Sequence, residues 1–314
     1  MSPASDELIE ELQLNRGGMT LVDGARAKEL YDAMGPAREI SGGSAANTLA
    51  GLSALGSQCA FIGQVADDQL GEVFAHDIRA VGIDFDVPPR PGDPSTARCL
   101  IFVTPDAQRT MNTFLGACQF LPAEALDEEA VGGAKILYLE GYLWDPEEPR
   151  AAMRRAIEAA RSAGRQVALT LSEVFVIERH GDDWRALIED GMIDILFANH
   201  LELFALTGAD NIEDGIAALA GKVPTLVVTR SADGAIAVRN GERAAVAAEP
   251  VEEVVDTTGA GDLFAAGFLY GHVNGEPLER CLRRGAIAAA EIISHYGART
   301  EVDLKALMAA KLGQ

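Results

Sequence analysis

Hydrophobic and polar residues follow two alternating patterns in the middle of the chain. Short apolar runs, each typical of a buried strand, occupy residues 135–144, 166–172, 193–199 and 225–230. Between them, apolar residues recur at helical spacing in segments 146–164, 182–191, 201–208 and 212–221. A short hairpin pattern follows at 234–248. Strands that alternate with helices predict a parallel sheet that is covered on both faces.

The N-terminal third has a different pattern. Its strand-like runs lie at 17–23, 37–43, 85–91 and 96–116. The turn residues at 105–108 separate two β-rich runs and predict a hairpin. Two helical patterns interrupt the strands, at 44–56 and 70–82. We therefore predict one α/β domain over residues 1–314, with a mostly parallel central sheet. A small β-sheet lid would come from about 17–41 and 85–115.

Charge and composition narrow the class of protein. The 314 residues are 48% hydrophobic and carry a formal net charge of −22. This charge argues against nucleic acid or an anionic membrane as a partner. No apolar segment is long enough to span a bilayer, the acidic N-terminus is no signal peptide, and the four cysteines form no C-x-x-C pair. We expect a cytoplasmic protein that binds any anion through a local cradle of N–H groups.

A glycine-rich turn at 259–261 is the strongest candidate for such a cradle. It separates the run 252–256, which we interpret as a strand end, from a helical pattern at 263–273. The N–H groups of such a turn are unpaired at the positive end of a helix dipole. Asp262 would repel an anion there, unless it takes a proton from a hydroxyl that attacks a phosphoryl group. A simply capped helix is the alternative, and no P-loop lysine or third Rossmann glycine is present.

Three motifs together carry a resemblance to a known family. The stretch "DTTGAGDLFAAGFLYG" at 256–271 closely resembles the C-terminal signature of the ribokinase-like (PfkB) family of sugar and nucleoside kinases. The stretch "SGGSAANTLAGLSALG" at 41–56 resembles its N-terminal signature, and 199–202 resembles its N-x-x-E motif. The motifs stand in the family's order and span nearly the whole chain. The resemblance implies a three-layer α/β/α fold, ATP and Mg²⁺ as cofactors, and K⁺ as a further candidate.

The resemblance also implies roles for individual residues. Asp262 would be the general base, and the anion hole would consist of Gly259, Ala260 and Gly261. Arg109 would reach the phosphates. Asn199 and Glu202 would order Mg²⁺, mostly through water, although a capping box is the alternative for this pair. The nucleotide side would include Thr229, Gly234, Asp256 and Thr257, with a plain helix-approach cap as the alternative for Asp256.

The acceptor would contact Gly42, Gly43 and Asn47, with a helix capped by Ser44 as the alternative. Segments 106–121, 168–180 and 281–299 resemble the adenosine kinase branch, although Val174 replaces a proline of that branch. Met19 and Phe175 are candidate contacts for a nucleobase.

The expected reaction is phosphoryl transfer from ATP to the 5′-hydroxyl of a nucleoside such as adenosine. A sugar kinase of the ribokinase or fructokinase type and an inactive nucleoside-binding protein are the alternatives, and both a monomer and a homodimer are open.

The chain departs from the family pattern at its start. Family members begin with a strand whose aspartate binds two sugar hydroxyls, whereas this chain begins with "MSPASDELIEEL", where Asp6 falls in a helical pattern. We therefore expect the family's first strand to be missing.

Overall fold

The computed structural model describes residues 1–106 and 108–313. The strands are β1 Ser2–Pro3, β2 Met19–Leu21, β3 Cys59–Ala60, β4 Ile83–Asp84, β5 Arg98–Val103, β6 Arg109–Phe114, β7 Ile136–Glu140, β8 Gln166–Thr170, β9 Ile195–Asn199, β10 Thr225–Thr229, β11 Ala235–Arg239 and β12 Glu242–Val246. The helices are α1 Asp6–Glu11, α2 Gly24–Ala33, α3 Ser44–Ala54, α4 Gln69–Ala80, α5 Glu128–Gly133, α6 Glu147–Ser162, α7 Val174–Glu189, α8 His200–Thr207, α9 Ile212–Leu219, α10 Ala260–Val273, α11 Leu278–Ile292 and α12 Leu304–Leu312.

The main sheet has six strands in the order β12-β11-β10-β9-β8-β7. Strands β7 to β10 are parallel, and β11 and β12 add an antiparallel hairpin at one edge. Side chains of β8 alternate between two cores, since Val167 and Leu169 pack with α6 and α7 whereas Ala168 packs with α10 and α11. Both faces are therefore covered, and the predicted three-layer α/β fold is confirmed.

Close packing fixes the helix that carries the glycine-rich turn. A Cβ atom placed on Gly267 of α10 would lie 2.5 Å from the carbonyl oxygen of Arg284 in α11. A Cβ atom on Gly285 of α11 would likewise lie 2.8 Å from the carbonyl oxygen of Phe264. The two helix backbones touch only because both positions are glycine. The N-terminus of α10 is thus held against the sheet.

A second sheet of four strands, in the order β1-β5-β6-β2, forms the lid. Strands β5 and β6 pair antiparallel, and helices α1 and α2 cover one face by packing Ile9 and Leu30 against Phe102. The predicted hairpin turn at 105–108 includes Ala107, which lies outside the described residues. The predicted extent of the domain and the missing first strand stay predictions.

Three of the predicted strands are wrong. Segments 37–43 and 252–256 contain no strand, and 85–91 contributes only a single bridge through Arg90. At 252–256 the backbone N–H of Val255 donates instead to the carbonyl oxygen of Ile293, just after α11. The apolar pattern of this segment reflects contact with a helix end. Pattern alone cannot supply the neighbouring strand that a ladder needs.

Helix α7 is also longer than its predicted pattern at 182–191, since it begins at Val174. Of the helices in the described part of the chain, none combines the length and the apolar character needed to cross a bilayer.

Candidate active site

A cleft of about 1980 Å³ separates the lid from the C-terminal ends of the parallel strands. It reaches from Met19 on the lid, past Asp262, to Thr229 and Gly234 at the far end. Pockets for one small ligand usually measure roughly 300–1000 Å³. The cleft therefore has room for two ligands side by side.

The glycine-rich turn lies at the middle of this cleft. Gly259 precedes α10 with a φ of 79°, and a Cβ atom there would lie 2.6 Å from the Cβ atom of Ala298. Around the Cβ position of Gly261, by contrast, no described atom lies within 4 Å apart from its chain neighbours and the backbone of its own helix. The Ala260 N–H donates to the Thr257 carbonyl at 3.3 Å, and the first α-helical bond runs from the Leu263 N–H to the Gly259 carbonyl. Among the described residues, the N–H groups of Gly259, Gly261 and Asp262 are therefore left for a ligand. An anion can thus approach the open side of the turn closely.

Asp256 stabilises the turn through hydrogen bonds to both of its carboxylate oxygens. Its side chain is completely buried, and its Oδ1 accepts hydrogen bonds from the Thr258 N–H at 3.0 Å and the Thr258 hydroxyl at 2.7 Å. Its Oδ2 accepts one from the Gly297 N–H at 3.0 Å. This corrects our placement of Asp256 among residues that contact the nucleotide, because no surface of its carboxylate faces the cleft. Thr257, the next residue, does line the cleft.

Asp262 is held by the first turn of α3. The Ser44 hydroxyl donates to Oδ1 and the Asn47 Nδ2 donates to Oδ2, each at 2.9 Å. Burial raises the pKa of the Asp262 carboxyl above its usual value, although these two hydrogen bonds oppose the rise. Asn47 is 4% exposed, and its Oδ1 has no hydrogen-bond partner among the described residues.

Glu140 is a second carboxylate at this end of the cleft, and we did not predict it. It ends β7 and accepts a hydrogen bond from the Ala45 N–H at 2.8 Å. Burial raises the pKa of the Glu140 carboxyl to about 7, and the nearby Asp262 carboxylate adds to the rise. The available signal was its position, because ligand-contacting residues often follow the carboxyl ends of parallel strands.

Arg109 connects the lid to the turn. Its Nη1 donates to the Thr258 hydroxyl at 3.2 Å, and its Nε lies 3.8 Å from Asp256 Oδ1. The side chain also lines the cleft beside the turn. The structure thus places Arg109 and the residues 259–261 next to one another.

Asn199 and Glu202 form the capping box that we named as the alternative. Asn199 donates from its backbone N–H to Oε2 and from Nδ2 to Oε1 of Glu202, at 2.9 and 2.7 Å. Burial raises the pKa of the Glu202 carboxyl to about 7, and the Glu173 carboxylate, which we did not predict, adds to the rise. Both side chains line the cleft.

The residues fit a water-mediated magnesium site. In the described part of the chain, no three His, Cys, Asp or Glu side chains converge as direct ligands. Mg²⁺ commonly keeps several waters and takes the rest of its ligands from substrate phosphates. Glu202 and Glu173 supply the negative charge that a hydrated cation would balance, and both Glu202 oxygens are already occupied by Asn199.

The remaining predicted residues lie along the same cleft. Gly234, with a φ of 81°, has no room for a side chain because its Cβ atom would overlap the Val246 carbonyl. Gly42 faces open space, and Gly43, with a φ of 97°, precedes α3. Met19 lies in β2 opposite Met111 of β6, and Phe175 lies in the first turn of α7.

Residues 22–305 match the family model of the pfkB family carbohydrate kinases. The chain belongs to this family. It is an ATP-dependent kinase with an alcohol group as acceptor, and the predicted family is confirmed.

Solved structures and curated relatives that resemble the chain are likewise named as kinases. An adenosine kinase from Sinorhizobium meliloti is 45% identical, with a TM-score of 0.95 over 100% of this chain and 95% of that one. A probable sugar kinase from Rhizobium etli is 43% identical, with a TM-score of 0.95 over 99% and 94%. A fructokinase of Klebsiella pneumoniae is 30% identical over 77% of this chain and 80% of its own.

We predict that Glu140→Gln raises the Tm at neutral and alkaline pH. The folded-state pKa of Glu140 is about 7, above the usual 4.5, so the folded protein holds this proton longer than the unfolded chain does. Stability from this group is therefore lost as pH rises from about 4.5 to 7, and it stays lost above that range. Glutamine removes this loss and can still accept the Ala45 hydrogen bond.

Thermal unfolding of both proteins between about pH 5 and 9 checks this, with the gap in Tm smallest at pH 5 and widest above pH 7. The exposed Glu178→Gln is the matched control and should follow the wild type throughout. A gap that is the same at every pH would contradict the prediction.

Proposed function

We propose that this kinase transfers the γ-phosphoryl group of ATP to the 5′-hydroxyl of a nucleoside such as adenosine. The observation that carries the proposal is the position of Asp262. Its carboxylate lies in the first turn of α10, beside the open turn at 259–261, in a cleft that has room for two ligands. A base beside an anion site is the arrangement that phosphoryl transfer to a hydroxyl requires.

Asp262 acts as the general base. Its raised pKa makes the carboxylate a stronger proton acceptor than an exposed aspartate. Ser44 and Asn47 fix its orientation, and each carboxylate oxygen has lone pairs left for the acceptor hydroxyl. The unpaired Oδ1 of Asn47 is buried, so the side chain must shift towards the cleft before it can accept a hydroxyl of the acceptor.

The turn and Arg109 bind the transferred group. The N–H groups at the N-terminus of α10 point at negative charge that develops on the phosphoryl oxygens. Arg109 adds a positive charge from the lid side, and its contact with Thr258 ties the lid to the turn. Asn199 and Glu202, with Glu173 nearby, would hold the water shell of Mg²⁺ on the nucleotide side. Magnesium would neutralise charge on the phosphates.

Apolar side chains on both walls of the cleft favour a nucleoside. Met19 and Met111 of the lid, and Leu139 and Phe175 of the body, present apolar surface of the kind that a flat base buries well. The 45% identity to a protein named adenosine kinase supports the same choice. A sugar kinase is the second candidate, because a protein named probable sugar kinase is 43% identical over nearly the whole chain. The intact arrangement around Asp262 speaks against an inactive binding protein.

ADP release over a panel of nucleosides and sugars tests this proposal. We expect the largest kcat/KM with adenosine or another nucleoside, and little release with ribose or fructose. A preference for a free sugar would replace the proposal with the second candidate. No release with any acceptor, together with tight nucleoside binding, would favour the binding protein.

We predict that Asp262→Asn lowers kcat by about 10²–10⁴-fold, the usual contribution of a general base. Asparagine keeps the shape of the side chain but cannot accept the proton. ATP binding, measured by calorimetry, should persist. The exposed Asp210→Asn is the matched control and should keep wild-type turnover. Near-normal kcat in the Asp262 variant would remove this residue from the role.

We predict that Glu202→Gln raises the Mg²⁺ concentration needed for half-maximal rate, because one negative charge is lost beside the water shell. Glutamine can still complete the capping box with Asn199, so α8 should stay folded. A titration of rate against Mg²⁺ measures the change, with Glu178→Gln as control. An unchanged Mg²⁺ dependence would leave Glu202 with a capping role alone.

A further inference from the structure

The loop between α11 and α12 packs against the glycine-rich turn through three consecutive residues. The Gly297 N–H donates to Asp256 Oδ2 at 3.0 Å. The side chain of Ala298 fills the space beside Gly259, where even a Cβ atom would come within 2.6 Å. The Arg299 Nη1 then donates to the Ala46 carbonyl at 2.7 Å. The loop thus contacts two segments next to Asp262, which are the turn before α10 and the first turn of α3.

The contact with Ala46 is made at the turn that holds Asp262. Ala46 lies in the first turn of α3, between Ser44 and Asn47, whose side chains donate to the two oxygens of the Asp262 carboxylate. A carbonyl this close to the helix start cannot shift without moving its neighbours. The position of Arg299 is therefore coupled to the orientation of Asp262.

We propose that Arg299 is a positioning residue for phosphoryl transfer, which fixes the first turn of α3 and places a permanent positive charge beside Asp262. This inference rests on the proposed function, in which Asp262 takes the proton from the acceptor hydroxyl. The three motifs that identify the family do not include this residue, although it ends the segment 281–299 that resembles the adenosine kinase branch. Its role is argued from the loop geometry and from the charges around Asp262.

The charges around Asp262 give this arginine a specific effect. Besides Arg299, the charged or titratable groups that face Asp262 are Arg109 on β6, Tyr138 and Glu140 on β7, and Tyr142 just after β7. Glu140 opposes ionisation of Asp262, whereas the two arginines favour it. Of these two arginines, Arg109 belongs to the lid and Arg299 belongs to the body of the protein.

Arg299 and Asp262 affect each other's charged forms. Burial lowers the pKa of Arg299, while the carboxylates of Asp262 and Asp77 raise it. Arginine keeps its charge under such conditions. Beyond the bond to Ala46, no other partner of the Arg299 guanidinium lies among the described residues, and the side chain lines the cleft. The charge of the guanidinium therefore acts on the carboxylates of Asp262 and Asp77 without a direct hydrogen bond to either.

The experiment compares Arg299→Met, Arg299→Lys and the wild type, with adenosine as acceptor, over about pH 5.5–9. Methionine keeps much of the length but removes the charge, so we expect the acid limb of the kcat profile to move to higher pH. The loss of kcat should be about tenfold or more near pH 6 and should shrink as the pH rises. The KM for adenosine should change less than kcat.

Lysine keeps the charge, so Arg299→Lys should return the acid limb towards its wild-type position. The exposed Arg283→Met in α11 is the matched control and should leave the profile unchanged. An acid limb that stays in place in Arg299→Met would overturn the inference. The same follows if lysine fails to restore the limb, because the role of Arg299 would then be purely structural.

A double-mutant cycle in urea unfolding keeps the inference testable if the protein proves inactive with adenosine. The cycle combines Arg299→Met with Asp262→Asn at about pH 8. Non-additive effects, with the second substitution less harmful once the first is made, support the coupling between the two side chains. Additive effects would overturn it. Inactivity with adenosine counts only against the proposed function.

Discussion

The first turn of α3 is the constraint on which the site depends. Ser44 and Asn47 donate to Asp262, the Ala45 N–H donates to Glu140, and the Ala46 carbonyl accepts from Arg299. Four consecutive residues thus connect α10, β7 and the loop after α11. A helix start can do this because its first N–H groups have no partner inside the helix. The catalytic geometry follows from how this helix docks.

Negative charge is concentrated where the protein must bind anions. In the proposed function, Asp262 and Glu140 lie at the acceptor end of the cleft, and Glu202 and Glu173 lie at the nucleotide end. In a chain with a net charge of −22, phosphates are attracted only by local features. The proposed function assigns this attraction to the open N-terminus of α10 and the lid residue Arg109. Bound magnesium would balance the carboxylates of the nucleotide end.

The lid takes part in the same arrangement. Arg109 extends from β6 to Thr258, whose hydroxyl and N–H are both bonded to Asp256. Asp256 in turn accepts from Gly297 in the loop that carries Arg299. The lid, the anion site and the loop are therefore joined through one buried carboxylate. Closure of the lid would complete the site and exclude water, which competes with the acceptor hydroxyl.

The sequence by itself determined the features that are local in the chain. The glycine-rich turn before α10 and the capping box at Asn199 and Glu202 each depend on residues within a few positions of one another. The alternation of strands and helices from β7 to β10 could be predicted from the sequence for the same reason. These features persist because their hydrogen bonds and backbone conformations are set by neighbours in the chain.

Only the tertiary structure decided the partners of those features. The segment 252–256 looked like a strand, but it bonds to the end of α11, because its partner lies far along the chain. Asn47 was expected to face the acceptor alone, yet its Nδ2 also orients Asp262, 215 residues away. Glu140 and Arg299 belong to none of the three family motifs. They join the site because β7 and the loop after α11 pack against one helix turn, and packing between distant segments leaves no periodic trace in a single sequence.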